Sequence, residues 1–292
     1  MEGLAPIETW AILAILAKAA GYIAALLAMG GVVFVALFRD VPADVIRLAR
    51  RIAALAAVVG LLILAARFGI RAARLSGMGL EGAVDPLMLG LIWDSPLGAA
   101  AVWRAGGEAL ILTVLFARGF WLIPALIGAI MVAYSFTLVG HSLGEPRMLL
   151  GSLLAVHVVM VAFWVGALGP LHRAARTQSG AALLHRFGML ASIGIPVLIV
   201  AGGIFAWLMI GSFTGLFGTA YGWAMLGKIV VVAGLLALAA ANKLKLVPAL
   251  ARGDAGAARR LRTSIRLECA AVVGIALLTA TMTSVTVPPA NL

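Results

Sequence analysis

The sequence predicts an all-α polytopic membrane protein with eight transmembrane helices, and three observations carry that prediction. The 292 residues are 64% hydrophobic and 11% charged, with mean hydropathy +1.14, whereas a soluble domain is roughly half apolar and about a quarter charged. Eight separate runs are long and apolar enough for the ~20 helical residues that one crossing requires. The basic residues alternate between the connecting loops as the positive-inside rule demands.

The eight runs fall at about 10–38, 51–74, 98–117, 120–140, 149–170, 188–210, 222–242 and 265–286. The first and second are joined by a loop with Arg39, Arg47, Arg50 and Arg51, the third and fourth by Arg118. The fifth and sixth are joined through Arg173, Arg176 and Arg186. Between the seventh and eighth lie Lys243, Lys245, Arg252, Arg259, Arg260, Arg262 and Arg266, and 243–266 is expected to be the largest cytoplasmic loop. The opposite side carries Glu2, Glu8, Glu81, Asp85, Asp94 and Glu145 with few basic residues. Both termini are therefore expected outside, on the side opposite the cytoplasm. The first run lacks the basic n-region of a cleavable signal and is expected to be retained. The net charge of +11 follows the loops of one side, which argues against nucleic acid and for a lipid bilayer as the partner. A single cysteine, Cys269, excludes a disulfide framework. The long outer loop between the second and third runs contains DPLMLGLIWDSP at 85–96, too apolar for a free linker, and reads as a short re-entrant or interfacial element.

A single transmembrane domain over 1–292 contains a trace of duplication. RRIAALAAVVGLLILAARF at 50–68 lies over HRFGMLASIGIPVLIVAGGIF at 185–205, and the same shift pairs Gly31 with Gly166. SPLGAAAVWR at 95–104 resembles TAYGWAMLGK at 219–228, pairing Gly98 with Gly222 and Arg104 with Lys228. Four helices return the chain to its starting side, so repeats over 1–141 and 149–287 would be parallel. Chance alignment of Ala/Leu-rich helices is the competing explanation.

Ionisable residues inside a bilayer are costly and mark function. Counting along the helices places Arg67, Arg104, His157 and Lys228 about 10 Å below the outer boundary, with Lys18 slightly deeper. Glu108 follows Arg104 by one turn and reads as its pair. No comparable layer is expected in the inner half, where Glu268 marks the start of the eighth helix. Snorkelling to headgroups competes with function for Lys18, Arg67 and Lys228. His157, Met160 and Trp164 share one face of the fifth helix, while Met131, Tyr134, Leu138 and His141 form a stripe on the fourth. Joined by a short loop, the two helices are expected to bring His141 and His157 face to face. Imidazole with thioether and no carboxylate suits copper, Cu(I) above all; a satisfied structural histidine and gap-filling methionines are the competing explanation. Tyr134, Trp164 and Tyr221 complete the supporting polar layer. No nucleophile–base pair, phosphate-cradling glycine loop or carboxylate pair occurs, which favours a transporter or metal-binding protein over an enzyme.

The motifs GHS at 140–142, LLAVHVVMVAFWVGAL at 153–168, RFGMLASIGIPVLIVAGGI at 186–204, TAYGWAMLGK at 219–228, ANKLKLVPAL at 241–250 and LRTSIRLE at 261–268 occur in an order that resembles the copper resistance protein D (CopD) family. The resemblance spans nearly the whole chain. It implies eight helices, an inner-membrane location and copper handling, proposed to be uptake from the periplasm beside a copper carrier of CopC type. By position, His141 and His157 match the family's histidines of helices 4 and 5. Arg104, Tyr221, Gly222, Lys228, Asn242, Pro248 and Glu268 match other recurrent positions. No CopC-like domain or Met/His-rich tail is fused here, so delivery would need a separate partner. The expected metal ligands are His141, His157 and Met160. The alternative is a haem-binding membrane redox protein using His141 and His157, because the outer chamber's excess positive charge favours an anion or haem propionates over a bare cation.

Overall fold

A computed structural model describes residues 9–116, 118–286 and 288, with His141 described by its backbone alone. Among them no strand occurs, and eight helices are long and apolar enough to cross a membrane. They are α1 (Thr9–Leu37), α2 (Ala43–Ser76), α3 (Pro96–Ile111), α4 (Ile123–Thr137), α5 (Arg147–Ala174), α6 (Ala181–Ile210), α7 (Ala220–Ala241) and α8 (Ala257–Val285). The chain is thus an all-α polytopic membrane protein.

Helix α1 is the centre of the bundle, packed most extensively on α2 and α5 and also on α4 and α8. Lipid tails are as apolar as leucine, so association depends on close packing of small residues. Gly30 and Gly166 meet backbone to backbone where α1 crosses α5, and a Cβ on either would overlap the other helix's main chain. Gly107 and Gly128 repeat the device where α3 crosses α4, and Ala53 fills the place beside Gly31 on α2. The ends of the chain are tied together inside the bundle, since Lys18 Nζ donates to the Thr283 carbonyl (2.9 Å) and the Ser284 hydroxyl (3.3 Å). The face holding the start of α1 and the end of α8 is the terminal face; the opposite one, with Arg39, Arg47 and Arg173, is the basic face.

Three helices begin well before their apolar runs. Helix α2 starts at Ala43, α6 at Ala181 and α8 at Ala257, because a helix continues past the bilayer for as long as its charged side chains can reach water. The expected loop over 243–266 is correspondingly mostly helical. A π turn over Asn242–Leu246 leads into a short helix, Val247–Ala251, and α8 follows five residues later. Pro248 cannot donate to the preceding turn, and the π turn sits directly before it. The apolar loop on the terminal face forms two short helices, Gly79–Ala83 and Pro86–Trp93. Asp85 caps the second by accepting from Met88 N (2.8 Å), with Pro86 at its first position. Ile92 is buried while Leu87, Leu91 and Trp93 are exposed.

Candidate functional site

The polar residues expected to form one layer are divided among three places. The first is a cavity of about 140 Å³ at the terminal face between α1, α2 and α3. It is lined by Lys18, Arg67, Arg71, Arg74 and Arg104, with Ser135 and Ser284 adding hydroxyls. Arg104 and Glu108 do not pair directly. Arg104 Nε donates to Ser135 Oγ (2.8 Å) and its guanidinium lies over the Phe136 ring at 4.1 Å, both on α4. Glu108 is fully buried and turned toward α2, where its carboxylate occupies the space that a side chain at Gly60 would need. Its oxygens have no hydrogen-bond partner, and Arg104 supplies the opposite charge that acts on it.

The second place is the face that α5 turns toward α6. The His157 ring packs on Gly202, where a Cβ would come within 2.7 Å of Nδ1. The Leu198 backbone is its hydrogen-bonding neighbour, yet the buried Nδ1 has no partner of its own. In a neutral imidazole that donates from Nε2, Nδ1 carries a free lone pair. The Lys228 charge acts on the same ring from α7. One turn along α5, the Met160 thioether packs beside Gly194 and lines a small cavity with Trp164 and Leu198. Two turns the other way is Leu150, which belongs to a buried cluster with Met209, Tyr221, Met225 and Met282. Three of the chain's 11 methionines therefore gather on the terminal side of His157. Sequence reading missed this group, because the three lie on different helices; Tyr221, two residues from the TAYG helix start, was its visible member.

The third place lies toward the basic face. Trp164 Nε1 donates to Glu268 Oε2 (3.0 Å), and Asn242 Nδ2 donates to Glu268 Oε1 (2.5 Å). All three residues are buried. Glu268 is eleven residues inside α8 and does not mark its start, so a buried polar cluster exists in the half where none was expected. Asn242 opens the π turn, a local irregularity often found at functional sites.

Two expected neighbours are elsewhere. Tyr134 is exposed and packs edge-on against Trp103 at 4.9 Å, and Met131 on the same stripe reaches Gly106. The α4 stripe thus faces α3 and not α5. The His141 backbone lies in a turn, Gly140–Leu143, entered through Gly140 at φ 76°, and so leaves the helical register that ends at Thr137. The His141 side chain lies outside the described residues. His157, ten residues into α5, is about 15 Å along the axis from that helix's start. Among the described residues no three His, Cys, Asp or Glu side chains gather as a metal cage; the donors that do gather are soft.

Both halves of the chain match family models. Residues 7–146 match the copper resistance protein D-like N-terminal domain, and residues 181–282 match copper resistance protein D. The chain belongs to the copper resistance protein D family. No curated protein and no solved structure matches it. Membership makes this a copper resistance membrane protein with multiple spans. Nothing in these matches points to haem. In this copper resistance protein D family member, Met160 and the cluster of Met209, Met225 and Met282 lie in the second half with His157, and the crowded cations in the first.

Proposed function

We propose that the protein carries copper along the α5 face, taking it from the periplasm at a site built on His157 and Met160 and importing it or passing it on. The observation that supports this reading best is the buried, unpartnered Nδ1 of His157, one turn from the Met160 thioether and two turns from the methionine cluster. A buried polar atom without a partner costs free energy and calls for an explanation. A metal ion is one that also explains the neighbouring sulfurs. Thioethers with one imidazole favour Cu(I) over Cu(II).

In this reading the terminal face is periplasmic and the membrane is the bacterial inner membrane. Met209, Met225 and Met282 receive Cu(I), His157 and Met160 hold it, and His141 serves at the mouth of the bundle. A separate periplasmic carrier of CopC type delivers the ion. The Lys228 charge opposes occupancy at His157 and makes the site one of transit and not of storage. Copper stoichiometry on the folded wild type, His157→Ala and His172→Ala tests the assignment. His157→Ala is expected to lose most bound copper and His172→Ala to keep it. Equal copper in wild type and His157→Ala, or a Soret band in the wild type, would refute it.

A further inference from the structure

The basic cavity between α1, α2 and α3 has no part in that copper route, and its composition is unusual for a membrane interior. Five cationic side chains line about 140 Å³, and among the described residues no carboxylate is in the lining. Lys18 feels the like charges of Arg67, Arg71 and Arg74 together. Among the described residues none of the five forms an ion pair. Glu108 stands behind the wall at Gly60, its carboxylate outside the lining.

The donors are unevenly used. Lys18 spends two on Thr283 and Ser284, and Arg104 spends its Nε on Ser135. Arg67, Arg71 and Arg74, at i, i+4 and i+7 on one face of α2, make no hydrogen bond among the described residues. A snorkelling side chain would stretch individually toward headgroups. These converge from three helices on one partly open cavity, with the Ser135 and Ser284 hydroxyls beside them. Like charges brought together in a poorly solvated space repel strongly unless an anion sits among them. Planar guanidinium groups match the oxygens of a phosphate, two donors to two acceptors. At about 30 Å³ per liquid water, the space equals roughly four or five waters, enough for one tetrahedral oxyanion with residual solvent.

We infer that this cavity is a binding site for a phosphate-type oxyanion, held by Arg67, Arg71, Arg74 and Arg104 with Lys18 at its wall. The anion is the phosphate of a lipid headgroup or free inorganic phosphate; the same donors suit both.

The test uses the full chain in neutral detergent, stripped of lipid. In one arm, thermal unfolding is followed during titration with inorganic phosphate, with sodium chloride at matched ionic strength as control. In the other, the protein is taken from vesicles of phosphatidylcholine with phosphatidylglycerol, and retained lipid is identified by native mass spectrometry. Arg67→Gln combined with Arg71→Gln is expected to weaken binding at least tenfold, about what the loss of one charge-assisted pair costs. Ala14→Glu places a carboxylate one turn before Lys18; it is expected to raise the unfolding temperature of the empty protein and to abolish the response. A phosphate-specific shift lost in the variants identifies free phosphate. Selective phosphatidylglycerol retention lost in the variants, without a phosphate shift, identifies the headgroup. No selective binding of either, or binding equal in wild type and Ala14→Glu, overturns the inference. Copper stoichiometry is expected to be unchanged in these variants, so this result and that for His157 stand apart.

Discussion

Gly202→Ala tests the copper site without removing any donor. A Cβ at Gly202 would stand 2.7 Å from His157 Nδ1 and 2.8 Å from Cε1, whereas ordinary contact begins at about 3.4 Å. Helix α6 is continuous here, so the imidazole must retreat by about 0.7 Å or more. A binding constellation has to hold its donors to within about 0.5 Å, and disturbing the groups that orient a metal-ligating histidine typically costs ten- to a hundredfold in affinity. Cu(I) affinity is therefore expected to fall by about tenfold to a hundredfold. The neighbouring Gly203→Ala is the control, since nothing lies within 4 Å of a Cβ there. Alanine favours a helix interior over glycine by about 0.8–1 kcal/mol, so Gly203→Ala is expected to bind copper as the wild type does and to unfold slightly later. The assay is competition for Cu(I) against a chromophoric chelator, with purified protein in micelles. Equal affinities for the two variants would mean that the ring at Gly202 is not a ligand in its observed position.

The remaining expectations are structural and topological. Gly166→Ala puts a methyl group into the Gly30 backbone; α1 and α5 must separate, at a cost of about 1–3 kcal/mol, read as earlier thermal unfolding than in Gly227→Ala, where the space is open. Trp164→Phe replaces the indole with a smaller aromatic ring and removes the N–H that donates to buried Glu268. The expected loss is about 1.5–3 kcal/mol, and a variant as stable as the wild type would mean that the bond contributes nothing net. Reporter fusions at Asn291 and Gly253 are expected to report opposite sides of the membrane, periplasmic for the first; same-side signals would overturn the assignment of faces.

The eight spans were legible because hydropathy measures what the bilayer selects. It measures depth, however, and not helix length. The eighth run begins at 265 by apolarity, but α8 begins at Ala257, because Arg259, Arg260 and Arg262 extend a helix into water as readily as they would form a loop. That eight-residue difference made Glu268 look like a helix start and hid its bonds to Trp164 and Asn242. Spacing along the helices gives Arg104 and Lys228 a common expected depth, but no direction around the bundle. Spacing places two charges at one level without saying which neighbours they meet. Arg71 and Arg74 had a readable signal, the i, i+4, i+7 run that starts at Arg67. The pairing of His141 with His157 assumed that the α4 stripe continued to its end, and Gly140 at φ 76° breaks that stripe one residue too soon.

The division of labour between the halves bears on the proposed duplication. Under the 135-residue shift Gly31 and Gly166 are equivalent, and the amide of Gly31 is among the atoms nearest a Cβ at Gly166. Equivalent positions that touch each other are what a pseudo-twofold axis running through the α1–α5 crossing would produce. We infer that the axis lies there. Arg104 and Lys228, paired by the proposed duplication, would then fall on opposite sides of it, and their surroundings differ. Arg104 faces Ser135, Phe136 and a cavity of further cations. Lys228 faces a histidine and lies one turn from Met225 in the methionine cluster. A positive charge next to a cation route is a burden unless it shortens the ion's stay, whereas the same charge in an anion site is the binding energy itself. On the duplication reading, the paired positions Arg104 and Lys228 would serve two opposite electrostatic uses. Exchange separates them: Lys228→Met is expected to strengthen copper retention, while Arg104→Met is expected to weaken oxyanion binding and leave copper unchanged.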